Sequence, residues 1–81
     1  GKTALHLASW KGSLQTVLLL LQYGADVNQY SFGTGNYGKT AIFYAITQCR
    51  NDIVEILLEY NANVKIINNK GQTPYSLALT H

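Results

Sequence analysis

Apolar residues in this chain come in short clusters cut by glycine, and the clusters predict short helices. Leu5, Leu7 and Ala8 mark the inward side of a first helix over about Ala4 to Trp10, with Thr3 placed so that its hydroxyl can cap the opening turn. Gly12 is suited to the left-handed conformation that stops a helix. A second helix follows over about Leu14 to Tyr23, built on the apolar run Val17 to Leu21 and closed by Gly24. Thr73-Pro74 opens another helix near the end, over about Pro74 to Thr80, where Leu77 and Leu79 lack a sequence-encoded cover. Helices this short are marginal alone, so stability has to come from burying their apolar faces against one another.

The clusters recur. Shifting the chain by 37 positions lays Gly38-Lys39-Thr40-Ala41-Ile42 on Gly1-Lys2-Thr3-Ala4-Leu5, and Val54 to Leu58 on Val17 to Leu21, without a gap. A further shift of 33 brings in Gly71-Gln72-Thr73-Pro74. A period in the thirties is the signature of a stacked solenoid. The first copy, with Gly-x-Thr-x-Leu-His-Leu-Ala at its start and Gly24-Ala25-Asp26-Val27-Asn28 at its close, resembles the ankyrin repeat. The resemblance implies an all-α solenoid of antiparallel helix pairs joined by extended or β-hairpin connectors. It divides the chain into repeat one at 1–37, with a connector insertion at about 29–37, repeat two at 38–70 and a partial repeat three at 71–81. Two repeats and a fraction, with neither end polar like a cap, lead to the expectation of an excerpt from a longer array.

Repeat two departs from this pattern. Phe43 and Tyr44 replace His6 and Leu7, adding aromatic volume to the core; Cys49 replaces Gly12, so the turn there has either lost its left-handed residue or shifted; Asn61 replaces Gly24 and Lys65 replaces Asn28. Asn tolerates left-handed geometry better than most residues. Leu18, in the place of Glu55, is expected to be an exposed leucine.

Composition narrows the function classes. With 47% hydrophobic residues and few charges the chain is globular, and its longest apolar run is too short to cross a bilayer. The single cysteine excludes an internal disulfide and suits a reducing, intracellular compartment, cytoplasmic or nuclear. Gly33 to Thr40 satisfies the phosphate-loop pattern G-x-x-x-x-G-K-[ST], but no buried strand precedes it and no second strand supplies an acidic residue. The repeat already accounts for Gly38-Lys39-Thr40, which leaves nucleotide binding a remote third reading. His6 has no second ligand at metal spacing. The resemblance gives it instead a structural hydrogen-bonding role beside Thr3. Asp26 is expected to bond local backbone, and Cys49 to be an inert turn residue. No catalytic residue, cofactor or metal site is expected, and no enzyme.

The resemblance implies a protein-interaction module that binds a partner segment on its concave face. Carried over residue by residue, that face takes Lys2, Trp10, Lys11, Lys39, Thr47, Gln48, Lys70 and Gln72, together with Tyr30, Phe32 and Tyr37 of the connector insertion. Asp52, Glu55 and Glu59 fall on the outer helix, so the face is basic and aromatic and suits an acidic segment of another protein. Trp10 is the first candidate anchor. The alternative is an intramolecular docking or spacer element beside a neighbouring domain of the same protein. Neither nucleic acid, membrane insertion nor a small-molecule substrate is expected. Asn28, with Leu20 eight residues before it, also resembles the asparagines that are hydroxylated in this family.

Overall fold

The computed structural model describes residues 3–30, 39–68 and 70–80. Helix formation begins with a threonine. Thr3 accepts from the His6 N–H through Oγ1 at 3.2 Å, while the Thr3 N–H donates to His6 Nδ1 at 3.0 Å, a reciprocal box that satisfies two otherwise orphaned donors. This starts α1 (Ala4–Lys11). Thr73 and Ser76 repeat the device at the start of α5 (Pro74–Thr80), with bonds of 2.9 and 3.1 Å. It is absent at the start of α3 (Ala41–Thr47), where Phe43 stands in the place of His6 and has no polar side-chain atom to return a bond to the Thr40 N–H. The Phe43 N–H donates to the Thr40 carbonyl instead, leaving Thr40 Oγ1 buried without a partner.

Four helix ends close alike. Bonds run from Ser13 N–H to Ala8 O, Ala25 to Leu20, Arg50 to Ala45 and Ala62 to Leu57, each spanning a left-handed residue. Those residues are Gly12 (φ 81°), Gly24 (φ 91°), Cys49 (φ 55°) and Asn61 (φ 68°). The turn at Cys49 has therefore neither lost its left-handed residue nor shifted. Packing on both sides fixes the chain path, and cysteine bears the backbone strain. Between these turns lie α2 (Leu14–Gln22) and α4 (Asn51–Glu59).

Helices α1, α3 and α5 pack side by side as one layer, and α2 and α4 form a second layer behind them. The central helix is α3, in which every residue from Ala41 to Ile46 is buried; Ile53 and Leu57 of α4 and Val17 of α2 complete the same core from the outer layer. The structure corrects the expectation that Leu7 faces inward with Leu5 and Ala8, since Leu7 is 43% exposed. At about 100° per residue it lies about 200° around the helix from Leu5. Its counterparts Tyr44 and Leu77 are buried, each against a preceding first helix, whereas no helix precedes α1 among the described residues. Leu77 thus has a cover and Leu79 has none. Leu18 is half-buried, and its neighbour Leu19 is the exposed leucine of α2.

No strand forms among the described residues. The second connector is closed by a tight turn in which the Asn68 N–H donates to Gln72 O and the Gly71 N–H to Asn68 O. Asn68 Oδ1 accepts from both the Lys70 and the Gln72 N–H groups, which spends on a side chain the donors a longer ladder would need. The first connector joins the next repeat through Asn28. Its Oδ1 accepts from the Asn63 N–H at 2.7 Å and its Nδ2 donates to Asn61 O at 3.4 Å.

Candidate protein-binding surface

Stacking in this register brings residues from separate repeats together. Trp10, in the last turn of α1, is 38% exposed, and its ring meets Tyr44 of α3 edge-on at 6.0 Å and 83°. This is a favourable orientation for two aromatic quadrupoles. His6 lies on the same Tyr44 ring at 5.4 Å. The Lys39 ammonium rests 5.8 Å from the ring centroid, within cation–π range. Trp10 and the Lys39 ammonium therefore flank one buried ring, Tyr44, and form with it an aromatic and cationic rib that links two repeats. The expected residues Trp10 and Lys39 are joined by Tyr44, which the sequence marked only as core.

Lys39 also belongs to a second grouping. With Thr47, Lys70 and Gln72 it lines a cavity of about 140 Å³ between repeat two and repeat three, over Phe43 and Leu77. Thr47 donates its hydroxyl to Phe43 O at 2.9 Å, and Gln72 Oε1 accepts from Asn68 Nδ2 at 3.1 Å. Asn68 is buried and had no sequence signal of its own. Lys11 is exposed, and its carbonyl accepts from Arg50 Nη2 at 3.3 Å. Tyr30 is exposed on the first connector, and Gln48 ends α3 half-buried. Neither lines the cavity. Lys2, Phe32 and Tyr37, like Gly33 to Gly38 of the phosphate-loop pattern, lie outside the described residues.

All four acidic residues lie away from the rib and the cavity. Asp26 Oδ1 accepts from the Asn28 N–H at 2.9 Å, the local backbone bond expected of it. Asp52, Glu55 and Glu59 are on α4, where Asp52 bonds the Ile53 N–H at 2.8 Å. Among the described residues no group of His, Cys, Asp and Glu side chains is placed to hold a metal ion. His6 is buried, with Nδ1 accepting from the Thr3 N–H, so the Nε2–H donates to Gln29 O at 2.7 Å. Both ring nitrogens serve structure. Cys49 is a free, exposed thiol.

The Ankyrin repeat family model matches residues 1–31 and 37–69. The chain belongs to the ankyrin repeat family. It is 40% identical over 77 residues to the putative ankyrin repeat protein L92 of Acanthamoeba polyphaga mimivirus, a match over 94% of this chain and 18% of that protein. It is 33% identical over 82 residues to Rabankyrin-5 of Mus musculus, covering 100% of this chain and 7% of the relative. Against the NF-kappa-B inhibitor cactus of Drosophila yakuba it is 30% identical over 80 residues, covering 96% and 16%. The ankyrin chain described here thus spans less than a fifth of the length of each of these relatives. Ankyrin repeats are in general protein–protein interaction modules and are generally non-enzymatic.

Proposed function

We propose that this ankyrin segment is a non-catalytic, intracellular protein-binding module that holds a partner segment along the face formed by the exposed flanks of α1 and α3 and the connector before α5. The observation that carries this reading is the rib of Trp10, Tyr44 and Lys39. A half-exposed tryptophan held edge-on by a buried tyrosine is rigid, and rigid aromatic side chains bind at low entropic cost. The separation of charge supports the same face, since Lys39 and Lys70 line one cavity while three of the four acidic residues sit on α4. Opposite charge on a partner would speed its encounter and fix its orientation.

The test is a selection of random dodecapeptides displayed on phage, followed by amide chemical-shift mapping with a selected peptide. Shifts are expected around Trp10, Lys39 and Thr47. Trp10→Ala should leave helicity unchanged and weaken binding by about 2 kcal/mol or more. Shifts confined to α2 and α4, or unchanged affinity in Trp10→Ala, would refute the proposed face.

A further inference from the structure

We infer that the cavity between repeats two and three is a receiving site for the carboxylate of one glutamate or aspartate on the partner segment; this rests on the interaction reading above and names the chemistry of one contact within it. Four observations carry it. First, Lys39 and Lys70 are both among the residues that line the cavity and none of the four acidic residues of the chain is, so neither lysine meets a carboxylate of this chain there. Second, the Lys39 ammonium sits 5.8 Å from the centroid of the Tyr44 ring, at the rim and not inside the cavity, and with no carboxylate of this chain beside it a guest carboxylate can draw it inward.

Third, Gln72 contributes a neutral donor. Asn68 Oδ1 accepts two backbone N–H groups, so Asn68 Nδ2 must be the end that donates to Gln72 Oε1 at 3.1 Å. That bond fixes the orientation of the Gln72 amide and leaves its NH2 as the unspent end of a side chain that lines the cavity. Fourth, the size fits. A volume of about 140 Å³ has room for a carboxylate with its methylene stem and is too small for a folded element. Two lysines and an amide donor among the residues around Leu77 and Phe43 match an acidic side chain, whose oxygens would take the donors while its stem lies on the apolar side chains.

The test uses the dodecapeptides selected on the whole chain. Selected sequences should share an acidic residue, and replacing it by its amide should weaken binding about tenfold. Against K39Q/K70Q, checked for native helicity by circular dichroism, the acidic and amide peptides should bind alike, and a lone Q72A should reduce the discrimination about threefold. Peptides that bind the proposed face with no acidic requirement would overturn the carboxylate site and leave the interaction reading standing. Failure to select any peptide on that face would remove both. Acid dependence that persists in K39Q/K70Q would place the carboxylate elsewhere and overturn the assignment. So would tighter binding of a phosphoserine peptide than of its glutamate counterpart, or a dimer on size exclusion that K39Q/K70Q abolishes.

Discussion

Cysteine at position 49 adopts φ 55°, a conformation that glycine takes in the matching turn at Gly12, and replacing it tests whether stacking imposes the turn. A left-handed residue bearing a Cβ costs about 1–2 kcal/mol. Glycine would relieve that cost but widen the unfolded ensemble by about 0.4–1 kcal/mol. Cys49 is exposed and outside the apolar core, so little burial is lost with its side chain. The net expectation for Cys49→Gly is stabilisation by about 0.5–1 kcal/mol. In a chain this size that raises the melting temperature by about 2–8 °C. Thermal unfolding followed by circular dichroism under reducing conditions reads it directly. Cys49→Ala is the control, because it removes the thiol and keeps the Cβ. It should melt close to the parent. If both variants melt with the parent, or if glycine lowers the midpoint, the left-handed strain inferred at this turn is wrong.

Two further stability predictions follow from hydrogen-bond partners. Thr3→Val should cost about 1 kcal/mol by removing a satisfied cap, whereas Thr40→Val should be neutral or slightly stabilising, because it removes a buried hydroxyl that bonds nothing; denaturant melts of the two variants give the comparison. Asn28→Ala should cost about 1 kcal/mol and speed hydrogen exchange at the Asn63 amide, while Asn28→Asp, which keeps the acceptor, should protect that amide nearly as well as the parent.

The helices were legible because the repeat carries its own punctuation. Thr3, Gly12, Gly24 and Thr73-Pro74 each specify a start or stop by backbone chemistry that acts within a few residues. The face of α1 was less legible. Leu5, Leu7 and Ala8 are all apolar, and only the neighbouring helix decides that His6 and Ser9 are buried while Leu7 is exposed. The turn at Cys49 could not be read locally, since cysteine does not favour the conformation that tertiary packing imposes on it. For the surface, residue types and positions were visible but their meeting points were not. Trp10 and Tyr44 touch because stacking brings α1 against α3, and Asn68 orients Gln72 through bonds that no spacing rule encodes.

Arg50 has a wider role than its place at the start of α4 implies. Its guanidinium lies so close over Gly12 that a Cβ added there would meet Nε at 2.5 Å, and its Nη2 reaches the Lys11 carbonyl. The helix-to-helix turns of the first two repeats are thereby clasped at one edge, while Asn28 clasps the connector edge. With a fastener on either side of the shared core, opening those repeats like pages of a book would have to break both. Both fasteners thus work to keep Trp10 and Lys39 in one register on the Tyr44 ring they share, which is what a guest would meet.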